Sequence, residues 1–298
     1  MRDKGELRNM KTYESLTKLH PCLSDSLGEY GRIHLPVCPA CNLSCRYCSR
    51  TYDTESVRPG KSRGILPLNM VAETIDKALR LCPEITTVGI AGPGDTLASA
   101  HALEAFRIVD RAFPNLIKCM STNGLLLPQK VEEIVQVHVD AVTVTVNAVT
   151  ERIQAQINKK IWYRDKWIEG EEAAKILINN QLEGIRRLSE QGILVKINTV
   201  LIPGINDAHI GDIAKTVSAA GAKIYNIIPL IPQADMKDIP APGCEMLHDA
   251  RSAAEGSLKI FSHCQHCRAD AVGRLGKEDI GSQIYGNLVF AKENFSHG

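Results

Sequence analysis

Cys41-Asn42-Leu43-Ser44-Cys45-Arg46-Tyr47-Cys48 decides how the rest of this 298-residue chain is read. Three cysteines at C-x3-C-x2-C follow directly on an apolar run, Ile33-His34-Leu35-Pro36-Val37, that predicts a strand. Thiolates on a compact loop are what an iron–sulfur cluster needs, because each soft sulfur completes one iron. A four-iron cubane takes four ligands and this loop offers three, so one iron stays open to bind something else. Open positions of that kind separate catalytic metal sites from closed structural ones. Zinc and incidental burial are the competing readings, but zinc favours paired C-x2-C units and a full set of four ligands.

Outward from the loop, strand-like runs alternate with helix-period segments. The strands are expected at 33–37, 86–90, 116–120, 141–147, 193–199 and 223–228, short and rich in Val, Ile and Thr. Helices are expected near 69–82, 98–112, 128–137, 171–191, 207–219 and 243–255. Alternation of this kind builds a parallel sheet with right-handed crossovers. Six units fit either a partial (β/α)6 barrel or an open doubly wound sheet. The unusual residues separate the two, because barrel chemistry gathers at the C-terminal ends of the strands. The cysteine loop, Gly92-Pro93-Gly94-Asp95, Ile202-Pro203-Gly204 and Pro229 each follow a predicted strand, and Cys119 with Ser121-Thr122-Asn123-Gly124 and Asn147 end two others. The expected fold is therefore α/β, a partial (β/α)6 TIM-like barrel over 33–242, with an N-terminal extension (1–32) over the site and a C-terminal extension (243–298).

Each rim motif also has a plain reading. Gly92-Pro93-Gly94-Asp95 is an ordinary turn sequence, or a place where backbone approaches a ligand. Asn123-Gly124 is a turn dipeptide, although Ser121 and Asn123 suit a ribose or carboxylate. Asn147 and Asn198 are polar residues ending apolar strands, which points to partners at the rim. Arg58-Pro59-Gly60 reads as a solvated turn. The tail, His263-Cys264-Gln265-His266-Cys267, holds a second C-x2-C. It reads as ligands for further clusters, with a zinc half-site completed by His263 and His266 as the alternative. His20-Pro21-Cys22 in the N-terminal extension can be brought to the same place. Cys82 and Cys244 read as buried small hydrophobes, and Cys38 as structural.

Composition narrows the class. The net charge is +1, which gives no case for nucleic acid or a membrane surface, and no apolar run of 18 or more predicts a membrane span. The N-terminus lacks the apolar core of a signal peptide. Ten cysteines in a chain of this size read as metal ligands of a cytoplasmic protein rather than as a disulfide framework.

The cluster loop, with Tyr47 before its last cysteine, resembles the signature of the radical S-adenosylmethionine (SAM) superfamily. The chain from about His20 to Gly276 resembles the NifB family within it. That likeness rests on His20-Pro21-Cys22, Pro39-Ala40-Cys41-Asn42, Gly89 through Asp95, Cys119 through Gly124, Ala173 through Leu177, Ile202 through Asp207 and Cys264 through Gly273. The resemblance implies a SAM-binding 4Fe–4S cluster on Cys41, Cys45 and Cys48, with Glu55 and Arg58 catalytic beside them and Tyr47, Gly92, Gly94, Asp95, Ser121, Asn123, Asn147, Asn198 and Ile202 around SAM. It implies two further 4Fe–4S clusters as substrate, held by Cys22, Cys119, Cys264, Cys267 and His20. They would be fused to an eight-iron core with a SAM-derived carbide, the precursor of the nitrogenase cofactor. Implied partners are an iron–sulfur cluster donor, a carrier or scaffold protein for the product, and a low-potential electron donor. The chain departs from the family at Tyr52-Asp53-Thr54-Glu55-Ser56-Val57-Arg58-Pro59-Gly60, where Thr54 stands at the place of a usual cysteine. Either His20, Cys38 or Glu55 replaces it, or fewer substrate clusters bind, or a related enzyme acts on another metallocofactor. A non-catalytic cluster carrier is the reading from outside enzymology.

Overall fold

The computed structural model describes residues 12–24, 28–49, 52–264 and 267–286. The chain starts with α1 (Tyr13–Leu19), β1 (Gly31–His34), β2 (Leu43–Cys45), α2 (Val71–Leu81), β3 (Ile85–Ile90) and α3 (His101–Ala112). Then follow β4 (Ile117–Thr122), α4 (Leu127–Gln136), β5 (Ala141–Thr145), α5 (Glu151–Ile157), β6 (Asn158–Tyr163) and β7 (Lys166–Glu169). The remainder is α6 (Gly170–Glu190), β8 (Leu194–Leu201), α7 (Ile210–Ala219), β9 (Ile224–Pro229), α8 (Cys244–Ala254), β10 (Lys259–Ile260), β11 (Val272–Arg274) and α9 (Gly281–Tyr285).

Eight strands form one sheet in the order β10-β9-β8-β5-β4-β3-β1-β11, parallel except for β11. The six strands expected from sequence lie side by side in chain order. A doubly wound sheet reverses direction partway; this one adds every unit on the same side, which is barrel-type winding. The boundary at residue 33 falls inside β1, and the C-terminal segment supplies both edge strands.

Helices form where apolar residues recur at helical spacing, as with Val71, Thr74, Ile75 and Ala78 buried along α2. They cover the outer face of the sheet, where Ile33, Val88, Met120, Val142, Val195 and Tyr225 belong to the main core. Residues on the opposite face have the other parity. There the register sets Cys119 beside Ala141, Thr143 beside Lys196, and Asn198 beside Asn226. The strands that read as uniformly apolar are thus aliphatic toward the helices and substantially polar toward the concave side. Cys119 sits inside β4, which runs on to Thr122 instead of ending at 120, because Ser121 and Thr122 stay paired to β5.

The N-terminal segment, expected over the site, packs from below. Leu16 and Leu23 cluster with Ile117, Ala141, Leu194 and Ile224, the first residues of their strands. A second correction is Cys244, which opens α8 and is exposed. Cys82 is buried as expected. Outside the strand–helix alternation lies a three-stranded antiparallel sheet, β2-β6-β7, and this sheet holds the cysteine loop.

Candidate functional site

The cysteine loop is fastened on both sides. Before it, Gly94 N–H donates to the Cys38 carbonyl (2.9 Å) and Asp95 N–H to the Ala40 carbonyl (2.8 Å). Within it, β2 pairs with β6, and Trp162 N–H donates to the Asn42 carbonyl (2.8 Å). A cavity of about 260 Å³ opens beside the loop, lined by Cys41, Cys45, Cys48 and Tyr47 together with Arg58, Ser121, Asn123, Asn147 and Asn198. Cys267 from the tail reaches the same cavity.

Amides surround the sulfurs. Asn158 Nδ2 donates to Cys45 Sγ (3.0 Å), Asn123 Nδ2 reaches Cys41 Sγ (3.8 Å), and Leu43 N–H points at the same sulfur (3.5 Å). Gln154 donates to the Asn158 carboxamide oxygen and so orients it. Burial pushes the Cys45 thiol up to about 12, the neighbouring Cys48 adding to the effect, while the Tyr47 and Asn158 hydrogen bonds oppose it. Burial likewise pushes Cys48 up to about 11, opposed by the Lys61 charge. Thiols like these become thiolates only when a cation is delivered with them. Hydrogen-bond donors aimed at sulfur, on a loop held rigid from two sides, fit a thiolate-bound cluster. Among the described residues no three His, Cys, Asp or Glu side chains group around a single metal ion. A cubane differs, because each thiolate sits on its own iron.

Several residues expected to touch a ligand are occupied with holding the rim. Asp95 accepts from Leu97 N–H (3.0 Å), Thr122 Oγ1 (3.1 Å) and Asn123 N–H (2.6 Å), tying the β3 and β4 ends together. Asn147 donates to Tyr47 Oη (3.1 Å) and accepts from Val200 N–H (2.9 Å). Asn198 accepts from Asn226 Nδ2 (3.1 Å). Gly92 precedes the lining residue Pro93, and Gly94 and Asp95 lie on the wall. Ile202 is fully buried among Ile157, Leu230 and Met236 and does not line the cavity. Glu55 is exposed, as is Thr54. Arg58, read as part of a solvated turn, instead points inward and donates to Gln233 Oε1 (2.7 Å), whose Nε2 donates to the Tyr47 carbonyl (2.8 Å). Gln154, Asn158, Gln181 and Gln233 had no sequence motif to mark them.

Around Lys196 a second group assembles. Cys22, Cys119, Cys264 and Cys267 act electrostatically on one another or on the same cation, and the buried Cys22 thiol is driven up to about 11 by burial and then by Cys267. Lys196 Nζ donates to the Cys22 carbonyl (2.8 Å) and lies 3.7 Å over the Phe261 ring. Arg32 donates to Cys267 Sγ (3.2 Å) and the Gly273 carbonyl (2.6 Å). His34 and Cys119 meet over Gly89, where an added Cβ would lie 2.9 Å from the ring and 3.2 Å from the sulfur. The His34 Nδ1 faces the Arg268 carbonyl (2.9 Å), which can only accept, so Nε2 carries the lone pair. Burial and the Arg32 charge hold this ring near 4, hence neutral. A neutral imidazole with its other nitrogen anchored is a metal-ligand arrangement, which the apolar run around His34 does not signal. His20 differs: its Nδ1 accepts from Cys22 N–H (3.0 Å). Cys38 is fully buried and bridged to Pro93 through the backbone. His266, the zinc alternative in the tail, lies outside the described residues, and His263 and Cys264 are exposed.

The tail is clamped to the loop after the cluster cysteines. Arg268, 7% exposed, donates to Asp270 (2.7 Å), to the Asp53 carbonyl (2.7 Å) and to the Ser56 carbonyl (2.6 Å). Asp270 also accepts from Arg63 N–H (2.8 Å). This brings Cys267 beside the first site across more than two hundred residues of sequence.

A short cysteine loop at the C-terminal rim of a partial barrel, sulfurs under amide donors, defines a radical SAM enzyme. Residues 35–217 match the radical SAM superfamily, and the chain belongs to it. Superfamily membership implies a 4Fe–4S cluster and SAM. A radical SAM methyltransferase from Sphaerobacter thermophilus shares the fold (TM-score 0.56, 17% identity, 77% of this chain and 65% of that one). So does Streptococcus suis SuiB bound to S-adenosylmethionine (TM-score 0.53, 12% identity, 89% and 54%). Within the superfamily the chain belongs to the NifB family. It is 41% identical to the FeMo cofactor biosynthesis protein NifB of Methanocaldococcus infernus, over 98% of this chain and 100% of that one. The protein of the same name from Klebsiella pneumoniae is 42% identical over 87% of this chain and 57% of its own length.

In this site Asn158 has the clearest electronic role. Its N–H stabilises negative charge on Cys45 sulfur, and hydrogen bonds to sulfur raise cluster potentials. Asn158→Ala is expected to lower the midpoint potential of the reconstituted cluster, read by redox titration with electron paramagnetic resonance. An unchanged potential would show that this bond does not bear on the cluster.

Proposed function

We propose that the protein acts in FeMo cofactor biosynthesis, as its relatives' names describe, by fusing two 4Fe–4S clusters and inserting a SAM-derived carbide to give an eight-iron core. The observation that carries this reading is the shared cavity: Cys267 lines the same space as Cys41, Cys45 and Cys48, and Cys22, Cys119 and Cys264 join Cys267 through a common cation. Cys41, Cys45 and Cys48 would hold the first cluster, which when bound and reduced supplies the 5′-deoxyadenosyl radical from SAM. Asn123, Asn158 and Tyr47 orient the loop, and Arg58 and Gln233, hydrogen-bonded to each other, line the cavity that would take SAM. Cys22, Cys119, Cys264, Cys267 and His34 would hold the substrate clusters, with His34 a better-placed substitute for the missing cysteine than exposed Glu55 or buried Cys38. One SAM would give its methyl group to a cluster sulfide and a second would remove hydrogen from it. A cluster donor, a carrier for the product and a low-potential electron donor complete the cycle.

The test is anaerobic reconstitution with iron counting, followed by SAM labelled in its methyl group. About twelve irons per chain, three cubanes, with label retained in the cluster product is the expected result. Thr54 favours a second reading, a family member acting on a different metallocofactor. About four irons with SAM still cleaved would move the assignment there.

A further inference from the structure

Two buried cations in the lumen have sulfur where carboxylates would be expected. Lys196 is 4% exposed and Arg32 5%. A charge taken out of water costs heavily unless an opposite charge meets it. Their contacts, described above, are two carbonyls, the Phe261 ring and Cys267 Sγ. Among the described residues neither forms an ion pair with a carboxylate; Asp279 acts on Arg32 only at longer range. The groups acting on Lys196 are Cys22, Cys264, Cys119 and Cys267. A helix-facing position on the same strand, such as Val195 or Ile197, is aliphatic. Lysine on the lumen face of β8 is therefore a costly residue at a place where the packing does not ask for one.

The arrangement fits an anion that binds through those sulfurs. A thiolate-ligated iron–sulfur cluster carries net negative charge, greater when reduced, and its potential follows nearby charge. We propose that Lys196 and Arg32 are positioning residues for an iron–sulfur substrate cluster at Cys22, Cys119, Cys264 and Cys267, offsetting its charge and holding it in the lumen. This rests on the reading of clusters as substrate and names the residues that select for them. Lys196 also fixes the Cys22 backbone, so charge compensation and ligand placement are joined in one side chain.

The experiment compares wild type, Lys196→Met and Lys196→Arg after anaerobic reconstitution with ferrous iron and sulfide. Iron per chain and midpoint potentials are measured, with melting curves to show that each variant folds. Lys196→Met is expected to lose at least one cluster, about four irons per chain. Any cluster remaining near the second site should titrate at a more negative potential, because the reduced, more anionic form has lost a neighbouring cation. Lys196→Arg should recover the iron and the potential. Wild-type iron and an unchanged potential in Lys196→Met would overturn the proposal. If that variant does not fold, Arg32→Met decides by the same two numbers. Wild type that itself binds only about four irons would refute the substrate reading, and this inference with it, before any variant is compared.

Discussion

Cys45→Ala is expected to abolish SAM cleavage, with a fall of at least about a thousandfold, the equivalent of about 4 kcal/mol in the barrier. Cys45 is the middle thiol of the loop and the one with the strongest amide donor, Asn158 at 3.0 Å. It also sits in β2, opposite Asn158, so its sulfur is placed by strand pairing. Alanine keeps that pairing and removes only a ligand. The protein should therefore fold, while iron attributable to the first cluster, about four per chain, is lost on reconstitution. Both are measurable: iron by colorimetric assay, cleavage by deoxyadenosine formation under a strong reductant. A variant that kept its iron and its cleavage would remove the cluster assignment from this loop.

How much of this could be read from sequence follows from where the signals lie. The cysteine loop is local, eight consecutive residues, and so are the strand–helix alternation and the motifs after each strand. Those were legible, and the chain-order sheet agrees with them. The β2-β6-β7 sheet was not, because Leu43 meets Ile161 across more than a hundred residues. Its aromatic, alternating stretch around Trp162 and Trp167 was a strand signal that the regular alternation of units overshadowed. The lumen was illegible for a different reason. Lys196, Asn198 and Asn226 look like interruptions in apolar runs until the register shows that they share one face. His34 stands in an apolar run that signals only a strand, and only the contact with the Arg268 carbonyl reveals which nitrogen is available. Gly94 was legible as unusual; it lies on the cavity wall, and the space a side chain would need is filled by the backbone of Cys38 and Ala40.

A Cβ on Gly94 would lie 2.0 Å from the Ala40 carbonyl oxygen, 2.7 Å from its carbon and 2.9 Å from the Cys38 oxygen. All three are backbone atoms, so no rotamer change relieves the overlap. Gly94→Ala must push the β3 loop away from residues 38–40. That lengthens or breaks the bonds from Gly94 N–H to Cys38 and from Asp95 N–H to Ala40. Overpacking of this kind plus two weakened hydrogen bonds is expected to cost about 3–5 kcal/mol, read from denaturant unfolding of the cluster-free protein. The consequence for function comes through geometry. Residues 38–40 lead straight into Cys41, and Asp95 holds Thr122 and Asn123, the latter reaching Cys41 sulfur. Displacing one loop therefore moves the first cysteine and its amide donor together. Cluster loading should fall by more than half even in protein that remains folded. If Gly94→Ala unfolded like wild type and took up a full first cluster, the two loops would not be the clamp that sets the cysteine geometry, and the rigidity of the site would have to come from the β2–β6 pairing alone.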